Sequence, residues 1–161
     1  MGESSNNVMV RVASPTDLAT LAPALAELPL LKRYGRDATQ LAASWQAALG
    51  RGECLFVACD ASGPCGLAWF LLGGTFGVGG YLRLIAVTTH TQARGVGAAL
   101  LDCFERETFH VSRHAFLLVS DFNADAQRFY ERHGYSRVGV VPGLVLSDVG
   151  EVIYWKKRPE A

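Results

Sequence analysis

The stretch from Tyr81 to Arg106 constrains the fold more than any other part of the chain. An apolar run of strand length, Tyr81-Leu82-Arg83-Leu84-Ile85-Ala86-Val87, leads into the polar turn Thr88-Thr89-His90-Thr91-Gln92-Ala93-Arg94-Gly95. Beyond it, Val96, Leu100, Cys103 and Phe104 recur at helical spacing. A strand therefore passes through a glycine-bearing turn directly into a helix. The first backbone N–H groups of such a helix lack carbonyl partners, and the helix dipole adds partial positive charge at the same point. That combination suits a phosphate or pyrophosphate.

Two familiar glycine loops do not fit. A P-loop places Lys after its last glycine, and here Ala98 follows Gly97. A dinucleotide fingerprint wants Gly or Ala where this chain has Leu100. What fits is Gln/Arg-x-x-Gly-x-Gly/Ala, met by Gln92, Gly95 and Gly97. A second pattern follows downstream in Asn123, Ala126, Phe129-Tyr130 and Gly134-Tyr135. In this order, with strands between them, the two segments resemble the signatures of the GNAT family of N-acetyltransferases.

The rest of the chain reads as short alternating elements. Ser14-Pro15-Thr16-Asp17 opens a helix with a capping box, Leu18, Leu21, Leu25 and Leu28 stripe it, and Pro29 stops it. Asp37 and Gln40 cap a second helix striped by Leu41, Trp45 and Leu49. Strands are expected near residues 8–12, 53–59, 65–72, 81–87, 115–120, 135–141 and 151–157, with a glycine-rich flexible hairpin at 73–80. The predicted order is β-α-α-β-β-β-α-β-α-β-β in a single domain over residues 1–161. The resemblance implies an α+β fold: a mixed, mostly antiparallel seven-stranded sheet with about four flanking helices. It also implies a V-shaped splay between strands four and five that holds a cofactor.

Composition narrows the partners. Fifteen basic residues balance fifteen acidic ones, so no general attraction to nucleic acid or to an anionic membrane is expected. No apolar run has membrane-spanning length and the N-terminus lacks a signal core, which predicts a cytoplasmic protein. The four cysteines show neither CxxC spacing nor a nearby His pair; they read as reduced core thiols, and no metal is expected. A homodimer is compatible with all of this.

The resemblance implies acetyl-CoA as cosubstrate and a small-molecule or peptide amine as acceptor. Carried over residue by residue, the backbone amides of Arg94, Gly95, Val96, Gly97 and Ala98, with Gln92, would anchor the pyrophosphate. Backbone groups of Ile85, Val87 and Thr89 would bond the pantetheine arm. Tyr130 would be the general acid to the leaving thiolate, with core packing as its other reading. Asn123 would contact the cofactor or cap a helix. Where several relatives carry Glu, this chain has Arg83, so a base must come from elsewhere: Glu53, Asp121, His90, or none. An α-amino group near pKa 7.7–8.0 needs less help than a lysine near 10.4. Burying an arginine is expensive, so Arg83 should meet Glu53 or a carboxylate carried by the acceptor, with Arg33 in the helix connector as a second acceptor-side cation. A non-catalytic acyl-CoA-binding or regulatory domain of the same fold is the alternative.

Overall fold

The computed structural model describes residues 7–92 and 95–161. The N-terminal elements are β1 (Met9–Val12), α1 (Pro15–Ala26), α2 (Pro29–Arg33) and α3 (Ala38–Gly50). Next come β2 (Cys54–Asp60), β3 (Gly63–Thr75), β4 (Gly79–Val87), a 3-10 turn at Thr89–Thr91 and α4 (Val96–Val111). The chain closes with β5 (His114–Ser120), α5 (Ala124–Arg132), β6 (Ser136–Pro142) and β7 (Gly150–Lys157). Among the described residues one sheet runs β1-β2-β3-β4-β5-β7-β6. β4 and β5 are parallel, whereas β1–β2, β2–β3, β5–β7 and β6–β7 are antiparallel.

The one departure in element order comes from Pro29. α1 already ends at Ala26, and Pro29 occupies the first turn of α2, so the described residues form five α-helices rather than about four. A missing N–H and a fixed φ disqualify proline from a helix interior but suit a first turn. The same residue that reads as a stop is therefore a start.

Contacts group the chain into two compact units, up to Phe70 with Leu84–Phe104, and Leu71–Arg83 with Glu105–Ala161. In the first, Leu18, Leu21 and Leu25 of α1 and Leu41 and Trp45 of α3 bury against Leu55, Val57, Leu67 and Trp69 of the sheet. Gly66 and Phe70 turn to the other face of β3, towards α4. Burial on both faces explains why Cys65–Phe70 is continuously apolar rather than alternating.

Both predicted capping boxes form, at Ser14/Asp17 and Asp37/Gln40. Asp17 is buried, accepts from the backbone and hydroxyl of Ser14, and takes two bonds from the Arg11 guanidinium at 2.6 and 2.9 Å. The Arg11 bonds, helped by those from Ser14, hold its carboxyl below the usual carboxylate range. A depressed folded-state pKa gives stability that is present above the unfolded value near 3.9 and is lost as pH falls below it. Asp17→Asn should lower stability at neutral pH by roughly 1–3 kcal/mol, read from urea midpoints, with the gap from wild type closing at acid pH. A gap independent of pH would assign the loss to the cap alone.

In the second unit, Ala115, Leu117 and Val119 of β5 and Val152 and Tyr154 of β7 are buried. β4 pairs with β5 from Gly79↔His114 to Leu82↔Leu117. The ladder stops there, although β4 runs on to Val87 and β5 to Ser120. The glycine-rich 73–80 stretch is a hairpin with a turn at Phe76–Val78, but two of its glycines serve packing rather than flexibility. A Cβ on Gly79 would lie 2.7 Å from the Phe116 ring, and one on Gly80 2.5 Å from the Thr108 side chain of α4.

Candidate active site

The turn after β4 is built from its own threonines. Thr88 and Thr91 are buried, with hydroxyls 2.9 Å apart, and the Thr88 N–H and Thr91 hydroxyl both bond the Cys65 carbonyl of β3. This pins the turn to the sheet while Thr89 and His90 stay exposed. Gln92 is exposed and its amide donates to the Val87 carbonyl at 3.3 Å, bracing the turn from outside. Arg94 lies outside the described residues, as does Ala93.

α4 begins at Val96, and the Gly95 carbonyl accepts from Ala99 at 3.0 Å as the first helical bond. Gly95 has φ +78°, a region that side chains rarely adopt, and a Cβ there would meet nothing within 4 Å. Backbone conformation, not crowding by the protein, therefore requires glycine, and the space beside it is open. The N–H groups of Val96, Gly97 and Ala98 form the first turn, where no carbonyl of the helix precedes them.

Gly66 was not among the residues singled out in sequence, yet it seats this helix. A Cβ there would stand 3.0 Å from Leu100, 3.1 Å from Val96 and 3.3 Å from the Ala86 carbonyl. Gly66→Val should lower stability by about 1–3 kcal/mol, read from denaturant midpoints. An unchanged midpoint would mean that the first turns of α4 shift freely.

The second signature has a compact physical explanation. Asn123 caps α5, its Oδ1 accepting from Ala126 N–H at 3.2 Å. At the other end Gly134 has φ +86°. The Tyr135 N–H bonds the Tyr130 carbonyl and the Gly134 N–H bonds the Glu131 carbonyl, which is a Schellman ending. Its accompanying apolar contact is between Tyr130 and Tyr135, ring centroids 5.7 Å apart. The spacing Tyr-x-x-x-Gly-aromatic thus fixes the direction of the Tyr130 ring. Phe129 at 5.1 Å and Tyr154 at 6.5 Å hold it from other sides.

Tyr130 is buried, and burial alone pushes its phenol well above the ordinary tyrosine range; no charge and no hydrogen bond contributes. Tyr154 beside it is pushed up to about 12 by burial, helped by the bond its hydroxyl donates to Glu131 at 2.8 Å. Tyr135 is pushed up further, mainly by burial, under Lys156, which pairs with Glu105 of α4 at 2.9 Å.

The residues singled out in sequence sit in different settings. Arg83 is exposed, so the cost of burial that would force a carboxylate onto it does not arise. Glu53 accepts from Arg51 at 2.7 Å and from the Trp69 indole at 2.6 Å, a structural role. Asp121 accepts from the Gly150 N–H at 2.8 Å and closes the end of the β5–β7 pair. Of the four cysteines only Cys65 and Cys103 are core thiols; Cys54 and Cys59 are half-buried. Arg33 is exposed on α2. Ile85 and Val87 are half-buried on β4. Among the described residues, no three His, Cys, Asp or Glu side chains are arranged to hold a metal ion. No described helix is long and apolar enough to cross a membrane.

Comparison with known proteins agrees with this geometry. A family model described as an acetyltransferase (GNAT) domain matches residues 51–137. An uncharacterized N-acetyltransferase of Methanocaldococcus jannaschii is 28% identical over 94 residues, 57% of this chain; the match spans 60% of that relative's length. A GNAT-family acetyltransferase from Bacillus cereus superposes with a TM-score of 0.75 at 18% identity, over 95% of this chain and 99% of the other. An aminoglycoside 6'-N-acetyltransferase complexed with coenzyme A gives a TM-score of 0.73 at 16% identity, over 94% and 99% of the two chains.

Proposed function

This chain belongs to the GNAT family of acetyltransferases, and from that premise we propose that it moves an acetyl group from acetyl-CoA to a primary amine. Residues 1–161 act as one catalytic domain in this reading. Acyl transfer from a thioester needs an anchored pyrophosphate, a held pantetheine arm and a proton for the departing thiolate. Backbone amides from Gly95 to Ala98, with Arg94, supply the anchor. The positive φ and open space at Gly95 support it, because phosphate oxygens can approach the chain there without meeting a side chain. Ile85, Val87 and Thr89 offer backbone groups to the pantetheine, and the end of the β4–β5 ladder at Leu82↔Leu117 supports that assignment, since strand edges beyond it can bond a ligand. Gln92 and Asn123 brace the two turns.

The observation that carries the reading is Tyr130. Burial keeps its phenol protonated through the neutral range, and the Schellman ending of α5 fixes its ring. Tyr130 donates a hydrogen bond to sulfur as charge develops there; because burial makes the phenol a weaker acid than the thiol, full proton transfer to the thiolate requires a hydrogen bond that stabilises the phenolate left behind. In this reading a carboxylate on the acceptor meets Arg83 or Arg33, and an amino acid or peptide end is then preferred over a polyamine. Thiol release from acetyl-CoA against a panel of amines tests the whole. Release that depends on an added amine is expected. Tight acetyl-CoA binding with no release on any amine would make this a binding or regulatory domain.

A further inference from the structure

Two carboxylates are buried among the described residues, Asp17 at 6% exposure and Glu151 at 5%. Asp17 closes a helix cap, as above. Glu151 is the second residue of β7, inside the sheet. A carboxylate at that depth is expensive to keep unless cations or donors meet it, so its surroundings and its face of the sheet matter.

Register settles the face. Glu151 pairs with the buried Ser120, Ile153 with Leu118 and Trp155 with Phe116, while Val152 and Tyr154 alternate to the opposite side. Tyr130 of α5 packs on Tyr154, so it lies on that opposite side. Tyr81 of β4 pairs with Phe116, and alternation puts Arg83 on the face of Glu151. The Tyr81 phenol is raised chiefly by burial, with Arg83 lowering it and Glu151 raising it, so both charges stand close to it. Ser120 and Glu151 lie three residues past Leu117, where the β4–β5 ladder has ended. At roughly 3.3 Å per residue that is about 10 Å into the stretch of β5 that pairs with β7 but no longer with β4.

We propose that Glu151 binds the acceptor amine and removes its proton, from the face of the sheet opposite Tyr130. This rests on the acetyl-transfer reading and supplies the base that the sequence leaves open at Arg83. The amine gives one proton to a Glu151 carboxylate oxygen, and its lone pair forms the N–C bond to the thioester carbonyl. The C–S bond breaks with its electron pair on sulfur, and the thiolate takes the Tyr130 phenol proton. Solvent then removes the proton from Glu151 and restores the one on Tyr130, so acetyl-CoA and amine become amide and free thiol. Acid and base on opposite faces let the amine enter on one side while the thiolate leaves on the other.

The test uses the full chain with a primary alkylamine that the wild type acetylates. Glu151→Gln should lower kcat/KM by roughly 10²–10⁴-fold, with acetyl-CoA affinity in calorimetry within about twofold of wild type. Glu151→Ala should recover part of its turnover when formate is added, which replaces the lost carboxylate; a purely structural glutamate gives no such rescue. Glu151→Asp keeps the charge and should retain intermediate activity, which guards against a variant that fails to fold. Turnover of Glu151→Gln near wild type overturns the proposal, as does a parallel loss of cofactor affinity and turnover without formate rescue. A wild type that acetylates no amine removes the transfer reading itself and this inference with it.

Discussion

Tyr130→Phe should lower turnover by roughly 10²–10⁴-fold and leave acetyl-CoA affinity nearly unchanged. The substitution keeps the ring that meets Tyr135, Phe129 and Tyr154, so packing and the Schellman contact survive. In the proposed mechanism, what is lost is the hydroxyl that serves the departing sulfur. The wild-type pH profile carries a second expectation. The folded pKa lies above the ordinary phenol value near 10, so the protonated, active form persists as pH rises through neutrality. Activity at constant amine protonation should show no loss through Tyr130 ionisation below about pH 10. Stopped-flow thiol release on wild type and variant, under conditions where chemistry limits the rate, reads both. Equal rates would make Tyr130 a packing residue.

The second large effect falls on binding. Gly95→Pro and Gly97→Val should each weaken acetyl-CoA binding by roughly 10²-fold or more. Proline fixes φ near −65°, whereas Gly95 needs +78°, so the loop must refold; the amide donor is removed as well. Valine at the second position of α4 sets a branched side chain beside the first-turn amides. Gly95→Pro also strains the backbone whatever the space beside it, so urea midpoints are read alongside affinity, whereas Gly97 is only partly buried and its substitution should act mainly on binding. Calorimetric titration separates the cases, and wild-type affinity in both variants would remove this loop from the cofactor site.

Much of the fold is legible in the sequence because its local signals agree. The capping boxes at Ser14 and Asp37 form as their spacing requires, and Val96, Leu100, Cys103 and Phe104 bury as one helical stripe. Pro29 misleads because proline is equally at home just after one helix and at the start of the next. The glycines at 79 and 80 look like flexibility because sequence does not show that Phe116 and Thr108 will press against them. Gly66 escapes notice for the same reason. Glu151 is hidden by its setting: a carboxylate near the start of an edge-like strand reads as solvated until the β5–β7 register places it opposite Ser120. Arg83 fails in the opposite sense, read as buried within an apolar run but exposed in the fold. Distant contacts set burial, and one chain's spacing does not encode them.

One reaction tests direct acetyl transfer. The protein is mixed with acetyl-CoA and an amine, and free thiol, N-acetylated amine and the intact mass of the protein are followed together. Direct transfer gives one acetylated amine per thiol released, with the protein mass unchanged at every time. Thiol released without acetylated amine, or no thiol released with any acceptor, would contradict it.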